Sequence, residues 1–510
     1  MRKERFIFNN DGTNILGNGL HDGRTITPED VEDYVDLVAG TRITSFFICT
    51  HSSMPYYKSL HERTFGCLNP DTPSGDGGHP HKADNCERYG QNALALLEQG
   101  TDIVELCVNR AHLKGMETFA SMRMNDLHFN DPAIRFPRGQ GDFWLAHPEY
   151  HIGNAEPGWH ADGALNFAHA EVREHKLNMV REICERFDVE GIELDFMRFP
   201  IYFPPGQGEK HLPAMTDFMR AARVITNEVG EERGRPLELG VRLPALVAQC
   251  RMLGFDPVAY AKDRLVDFIT ITPFLHNFAS VPVRTFRAAL GDDSLPIYAG
   301  TMSHEIGGPL SHGAFRASAA NCFREGADGL VLFNFFYGHE NPEAVGRTCF
   351  GPCRALLDEL GDADRLQGRN KVYSAGVREA AYGTYLDYAL PASLSSGESL
   401  IMDMDLSEEV SREVPQRAVL FVRVKGAGDW RVTWNGKSLI RTIRTEAPSE
   451  YGLAKKLETD AAVHVFELPP DRLIYGANML TIQAPDAVGG EVLRADVAIE
   501  YGDPETHGYF

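Results

Sequence analysis

The chain has 510 residues, of which 43% are hydrophobic and 24% are charged, an ordinary composition for a soluble globular protein. This length favours two domains over one. The formal net charge of −22 argues against a nucleic-acid partner, because phosphate binding requires a basic face. No apolar run approaches the length of a membrane span, so we expect no membrane partner either.

Nine cysteines are scattered through the predicted strands, helices and loops, which indicates reduced thiols rather than a disulfide framework. The basic start Met1–Arg5 leads into only three apolar residues, too few for a signal peptide. We therefore expect a cytoplasmic protein, or a secreted one if a leader has been trimmed from this sequence. The pattern gives no indication of oligomeric state.

From the N-terminus to about residue 365, short apolar runs alternate with amphipathic helical segments, clearest at Asp102–Lys114 and Glu171–Phe187. Eight strands are predicted, at Arg5–Asn9, Ile43–Cys49, Met116–Met122, within Val189–Pro200, and at Leu237–Leu243, Val266–Thr272, Leu295–Thr301 and Gly329–Phe333. This alternation predicts an α/β fold, a (β/α)8 TIM barrel over residues 1–368. An open doubly wound sheet would instead need a glycine-rich phosphate loop after the first strand, and Asn10–Asn14 is not one.

The fourth strand carries two acids, Glu193 and Asp195, between the apolar Ile192 and Leu194. Side chains alternate along a strand, so both carboxylates face the same side. Burying carboxylates costs several kcal/mol unless they are paired, hydrogen-bonded or used in chemistry. The pattern predicts a site there, with Asp195 at its chemical centre.

Polar side chains also stand at the C-terminal ends of the other strands, which converge on the active-site face of a barrel. The predicted substrate-binding residues are Asn9, Asp11, His51, Arg123, Asn125, Asp126, Glu193, Arg198, Arg242, His276 and Asn334. Any one of them could instead be a cap or turn residue. Their recurrence in one phase on eight strands favours a site.

Glycoside hydrolysis generally needs two carboxyl groups, one to protonate the leaving oxygen and one to act as nucleophile or base. The predicted catalytic pair is Asp195 and Glu305, the glutamate that follows the seventh strand, with Asp126 and Asp11 in reserve. Glu193 lies one step deeper, where it would pair with an arginine or tune the pKa of Asp195. The alternative is a buried ion-pair network that closes the barrel.

Arg123, Arg198 and Arg242 are conspicuous in so acidic a chain. Arginines at a barrel mouth can bind a carboxylate or sulfate through two parallel hydrogen bonds. They could equally neutralise the buried acids beside them. If one or two are free, the substrate is an acidic or sulfated glycan.

Two connections, Ser53–Arg88 and Leu127–Leu165, are too long for plain loops and leave strand C-termini. The second carries Trp144 and Trp159, which would stack on sugar rings, or would form a small core of the loop itself. His79-Pro80-His81 lies inside the first insertion rather than after the first strand, and Cys349 and Cys353 have no second cysteine pair. We therefore predict neither a metal site nor a cofactor.

Beyond residue 368 the pattern changes to strand-like alternation without long helices, as in Val419–Val424, Trp430–Trp434 and Val463–Phe466. Asn435-Gly436 is a strong two-residue hairpin turn. Residues 369–510 are therefore predicted to form a C-terminal all-β sandwich, which could bind carbohydrate or buttress the barrel.

The segments Leu165–Arg173 and Glu190–Pro200 together resemble the glycoside-hydrolase-like family 10 barrels, in a pattern specific only over residues 165–200. This resemblance implies a glycosidase-like barrel with Asp195 in its site. Glu190–Met197 also resembles the chitinase motif, but Met197 stands where that motif has its catalytic glutamate. The segments Leu468–Pro470 and Gly476–Leu480 are similar to the galactose-binding-like sandwiches appended to many glycosidases.

The leading hypothesis is a glycoside hydrolase that acts on an oligo- or polysaccharide through a two-carboxylate mechanism. A barrel that binds glycan without cleaving it is the first alternative. A metal-dependent TIM-barrel hydrolase is the second.

Overall fold

The computed structural model describes residues 3–18, 24–67, 80–128, 140–153, 161–273, 280–302, 304–305, 308–309, 311–333, 335, 353–375, 390–442, 461–508 and 510. Eight parallel strands form a closed barrel in chain order, with the eighth paired to the first. They are β1 (Arg5–Asn10), β2 (Ser45–Cys49), β3 (Glu117–Arg123), β4 (Gly191–Asp195), β5 (Glu238–Pro244), β6 (Phe268–Thr272), β7 (Ile297–Met302) and β8 (Gly329–Phe333). The predicted (β/α)8 barrel is confirmed.

Helices cover the outside of this barrel, because their apolar faces pack on the outward-facing side chains of the strands. They are α1 (Thr13–Asn18), α2 (Pro28–Asp36), α3 (Pro80–Glu98), α4 (Ile103–Leu113), α5 (Asp142–Ala146), α6 (Ala170–Arg186), α7 (Leu212–Arg233), α8 (Val247–Met252), α9 (Pro257–Lys262), α10 (Val283–Leu290), α11 (His312–Arg324) and α12 (Cys353–Leu360). A short ribbon pairs His304–Glu305 with Gly308–Pro309 after β7. The predicted helices Asp102–Lys114 and Glu171–Phe187 correspond to α4 and α6.

The inside of the barrel is filled in layers. Its apolar plug is formed by large side chains from β1, β2, β3, β6, β7 and β8, namely Ile7, Phe47, Phe119, Phe268, Tyr298 and Val331. Glycines on neighbouring strands make room for these rings, since a Cβ atom at Gly240 would lie 2.0 Å from the Phe268 ring. The plug closes the barrel below the C-terminal ends of the strands, so a ligand site must lie above it.

The C-terminal part is a sandwich of two antiparallel sheets, as predicted. Its strands are β9 (Lys371–Ala375), β10 (Ala392–Leu394), β11 (Ser399–Leu406), β12 (Arg417–Lys425), β13 (Arg431–Trp434), β14 (Lys437–Ser438), β15 (Ala461–Glu467), β16 (Gly476–Gln483) and β17 (Gly490–Glu500). One sheet has the order β9-β17-β12-β15 with β10 on β17, and the other has β11-β16-β13-β14. The Asn435-Gly436 turn joins β13 to β14, and both residues have the positive φ that such a turn requires.

Hydrogen bonds join the sandwich to helix α11 of the barrel. Asn321 donates to the carbonyl oxygen of Asp405 at 3.0 Å and accepts from the Ser407 hydroxyl at 2.6 Å. Arg316 reaches the carbonyl oxygen of Asn370 at 3.2 Å. Helix α11 also packs along β9, so the sandwich supports the outer wall of the barrel.

Candidate active site

Above the apolar plug, the barrel interior turns polar in two steps. Asn9, Ser121, Glu193 and Thr270 occupy the first polar layer and are buried. Arg123, Asp195 and Arg242 lie one step higher, where the three residues are direct register partners on β3, β4 and β5. The alternation of β4 therefore carries Glu193 and Asp195 into the interior, as the sequence predicts.

Asp195 is held in a buried ion pair. Its Oδ2 accepts a hydrogen bond from Arg242 Nη1 at 3.0 Å, and both side chains are 1% exposed. Its Oδ1 accepts from the backbone N–H of Met197 at 2.8 Å. Arg242 is fixed in turn by Thr272 at 3.1 Å and by the Phe333 ring, whose centroid lies 3.8 Å from the guanidinium carbon. These contacts hold the carboxylate in one orientation, as a catalytic carboxylate requires.

The hydrogen-bond donors to Glu193 among the described residues are all neutral. Its Oε1 accepts hydrogen bonds from Asn9 at 2.9 Å and Ser121 at 3.0 Å, and its Oε2 accepts from Thr270 at 3.1 Å. Complete burial, together with the nearby Asp195 charge, raises the pKa of Glu193 to about 7. Of the two expectations for Glu193, direct pairing with an arginine is therefore not what the structure contains.

The raised pKa of Glu193 predicts a specific pH dependence of stability. The folded pKa of about 7 lies above the ordinary glutamate pKa of 4.5, so the folded state holds this proton more tightly than the unfolded chain. The stabilisation is complete below about pH 4.5 and is lost as the pH rises through about 7; it is worth on the order of 3 kcal/mol. Replacing Glu193 with Gln is expected to flatten the fall in melting temperature between pH 5 and pH 8.

Glu185→Gln on the exposed side of α6 is the matched control for that comparison, because Glu185 is half exposed. The melting temperatures of the three proteins are measured by circular dichroism across the pH range. An unchanged pH slope in Glu193→Gln would contradict the assignment.

A second network joins the ends of β3 and β4. Arg123 Nη1 donates to Asp126 at 3.0 Å, Asp126 accepts from His128 Nδ1 at 2.6 Å, and Arg198 Nη2 lies 2.9 Å from His128 Nε2. Asp11 lies 3.6 Å from Arg123 Nη2. Burial alone would raise the pKa of Asp126, but His128 and Arg123 hold it well below its usual range. Asp126 is therefore an ionised carboxylate and unsuited to donate a proton to a leaving group.

The other predicted residues divide by their contacts. The side-chain amide of Asn125 donates to the carbonyl oxygens of Leu165 and Ile201 and accepts from the N–H of Leu165, at 2.6–3.1 Å. Asn125 thereby connects two loops. Asp11 accepts from Thr13 and from the N–H of Asn14. His51 is buried beside Thr50, and burial, reinforced by Lys176, lowers its pKa to about 3. All three residues therefore make hydrogen bonds to neighbouring groups of the protein at the mouth of the barrel.

Trp144 lies in the loop after β3, on the short helix α5. Its Nε1–H donates to the carbonyl oxygen of Gly163 at 2.7 Å, and its ring stacks on His151 at 4.3 Å. The half-buried indole packs against the main core of the barrel and also lines a polar cavity, so sugar stacking by Trp144 stays a prediction. Four predicted site features lie outside the described residues, namely Trp159, His276, Asn334 and the side chain of Glu305.

A polar cavity beside this network contains groups that are not among the predicted site residues. Lys176 of α6, Glu62 and His175 line it together with Ser52 and Asp126. Burial lowers the pKa of Lys176 to about 8. The sequence did carry a signal for Lys176, which falls on the apolar face of α6 four residues after Val172 and four before Val180.

Several polar atoms around the two networks are buried without a hydrogen-bond partner among the residues that the structure describes. They are Asn9 Oδ1, His51 Nε2, Ser52 Oγ, Tyr56 Oη, Arg123 Nε and Nη2, Arg198 Nε and Nη1, Tyr202 Oη and Thr301 Oγ1. Buried polar groups are normally satisfied, and each exception needs an explanation. Their concentration at the C-terminal ends of the strands indicates a ligand site.

Clusters of metal ligands and membrane-spanning helices are both absent from the described ranges. No group of three or more His, Cys, Asp or Glu side chains there could hold a metal ion. None of the helices described is both long and apolar enough to cross a membrane.

Comparison with solved structures gives remote likenesses. The chain is similar to alpha-L-fucosidase isoenzyme 2 from Paenibacillus thiaminolyticus, with a TM-score of 0.41 and 12% identity over 71% of this chain and 49% of that one. It is similar to an endo-1,4-beta-mannanase from Rhizomucor miehei, with a TM-score of 0.41 and 11% identity over 68% and 93% of the two chains. The chain spans about half the length of the fucosidase.

Comparison of the sequence with family models and with curated proteins finds no match. No protein-family model matches the chain. None of the curated proteins matches it. The resemblance to glycoside-hydrolase-like family 10 barrels stays a prediction.

Proposed function

We propose that this protein is a glycoside hydrolase that cleaves an O-glycosidic bond in an oligo- or polysaccharide, with Asp195 as its ionised carboxylate. The observation that carries the proposal is the position of Asp195. It lies at the C-terminal end of β4, fixed by Arg242 and Met197, and beside a concentration of unsatisfied polar atoms. A site of this kind can hold the hydroxyl groups of a sugar next to a preoriented carboxylate.

The chemistry requires a second carboxyl group that can give a proton to the leaving oxygen. Asp126 is ionised, and Asp11 caps the start of α1, so neither described carboxylate suits that role. Glu193 holds a proton near neutral pH but lies in the closed layer below. Glu305, which follows β7, remains the proposed general acid on the strength of its position in the chain.

In the proposed reaction, Glu305 protonates the glycosidic oxygen as the bond to the anomeric carbon breaks. Asp195 either attacks that carbon as the bond breaks, forming a glycosyl ester that water then hydrolyses with Glu305 as the base, or takes a proton from a water molecule that attacks the carbon directly. The guanidinium of Arg242 donates to Oδ2 of Asp195 and holds the carboxylate in place for that step. Proton NMR of the first product anomer formed distinguishes retention from inversion.

The first test is a substrate screen with the full chain. Neutral, uronic and sulfated polysaccharides are incubated with the protein, and released reducing ends are measured. We expect release from at least one glycan, and none from the same glycan with the Asp195→Asn variant. Binding of a glycan without any release would replace the proposal by a glycan-binding barrel.

The role of Glu305 has its own readout. A Glu305→Gln variant is expected to lose turnover of natural glycans but to keep much of its turnover of aryl glycosides with acidic phenols, because these leaving groups need no proton. Equal losses on both kinds of substrate would assign the acid to another residue.

A further inference from the structure

Arg198 is a buried cation that no carboxylate pairs with among the described residues. Its side chain is 7% exposed, and its one hydrogen bond runs from Nη2 to His128. Among the described residues, its Nε and Nη1 have no hydrogen-bond acceptor, and no carboxylate forms an ion pair with it. Arg123 and Arg242, by contrast, each face a carboxylate within 3.0 Å. Removing a guanidinium from water costs several kcal/mol, so an unpaired one in a folded protein calls for a counter-ion.

The backbone holds Arg198 firmly in this position. Phe199, the next residue, has a φ of 138°, a conformation that a bulky side chain rarely adopts. The Phe199 ring lies 4.7 Å from the guanidinium carbon of Arg198, and its carbonyl oxygen accepts a hydrogen bond from Ile201. Strain of this kind persists where the surrounding structure fixes it, most often at functional sites. The guanidinium is thus presented in one orientation.

A second guanidinium stands on the other side of the Asp126–His128 pair. Arg123 uses Nη1 on Asp126, whereas its Nε and Nη2 have no hydrogen-bond acceptor among the described residues. Burial and the repulsion from Arg123 lower the pKa of Arg198 to about 10, so both arginines remain charged at neutral pH. Arg123 is compensated by Asp126 and, at 3.6 Å, by Asp11, yet both guanidinium groups keep buried N–H groups with no hydrogen-bond acceptor among the described residues.

We propose that Arg198 and Arg123 form a receptor for an oxyanion substituent of the glycan, a carboxylate or a sulfate ester, beside the bond that Asp195 attacks. The assignment of the anion to a glycan rests on the proposed function, whereas the anion site itself does not. The planar fork of a guanidinium matches two oxygens of either group. Uronic and sulfated sugars both satisfy this geometry.

Anion binding is tested first without any glycan. The melting temperature of the full chain is measured against sodium sulfate and sodium acetate, with sodium chloride as the reference at constant ionic strength. We expect at least one of the two anions to stabilise the wild-type protein and Arg198→Met to weaken that binding about ten- to a hundredfold, the loss typical of a charge-assisted pair. The anion that raises the melting temperature more, sulfate or acetate, identifies the kind of oxyanion that the site prefers.

Two further variants keep the test decisive. Arg198→Lys retains the charge but not the fork, so its affinity should fall between wild type and Arg198→Met, and it serves if the methionine variant does not fold. Arg220→Met is the matched control, because Arg220 is half exposed on α7 and pairs with Asp217 and Asp263. No anion binding by wild type, or equal weakening by Arg220→Met, would overturn the inference.

The two proposals fail separately. If the protein cleaves neutral glycans but binds no anion, the receptor proposal is wrong and the hydrolase proposal stands. Anion binding that depends on Arg198, in a protein that cleaves no glycan, supports the receptor and removes the hydrolase.

Discussion

Asp195→Asn is expected to lower the turnover of any cleaved glycan by about three orders of magnitude or more, as when a member of a catalytic set is removed. Asparagine keeps the shape of the side chain, and its carbonyl oxygen can still accept from Arg242 or from Met197 N–H. It has no negative charge, however, so it can neither attack an anomeric carbon nor take a proton from water. Turnover is measured on the glycan that the screen identifies.

Asp188→Asn is the matched control for this experiment. Asp188 precedes β4 but is exposed, and it pairs with Arg235 at the surface. That variant should retain wild-type turnover. Circular dichroism of both variants at 25 °C separates loss of chemistry from loss of fold, and full turnover by a folded Asp195→Asn protein would rule out the proposed centre.

The barrel could be predicted from local pattern because its strands are apolar runs of similar length, each followed by a helical segment. Gly329–Phe333 matches its predicted bounds, whereas β2 begins at Ser45 rather than Ile43. Thr44, just before β2, still donates to the carbonyl oxygen of Phe6 and accepts from the N–H of Glu117, so the strand has no sharp beginning. Period and length therefore fix which elements exist more firmly than where each one begins.

The alternation of β4 was enough to place Glu193 and Asp195 inside the barrel, but it did not identify their partners. Glu193 is satisfied by Asn9, Ser121 and Thr270, which come from three other strands. The choice among such partners depends on barrel register, and one strand's sequence does not contain it. Local sequence thus predicts the face of a side chain and tertiary structure decides its contacts.

The arginines illustrate the same limit. The sequence left each of them open between binding a substrate anion and neutralising a buried acid. The structure divides them, since Arg242 faces Asp195 and Arg123 faces Asp126, whereas Arg198 has no carboxylate among the described residues. Only the assembled mouth could separate these two roles.

Arg242→Met is expected to destabilise the fold by about 3–5 kcal/mol, the usual effect of removing one partner from a buried ion pair. Methionine has a similar volume and would still contact the Phe333 ring, so lost packing is a minor part of the change. The main cost is that the Asp195 carboxylate, 1% exposed, would be left with the Met197 N–H as its one hydrogen-bond donor among the described residues. The midpoint of urea unfolding measures the loss.

The double variant Asp195→Asn/Arg242→Met separates this electrostatic cost from the loss of packing. With both charges removed, no buried charge of the pair is left uncompensated, and the double variant should be more stable than the sum of the two single losses predicts. Additive losses would mean that Asp195 and Arg242 do not interact, and the carboxylate would then lack the fixed orientation on which its proposed chemistry depends. A positive coupling energy, together with loss of turnover in both single variants, would tie the stability of the barrel mouth to its reaction.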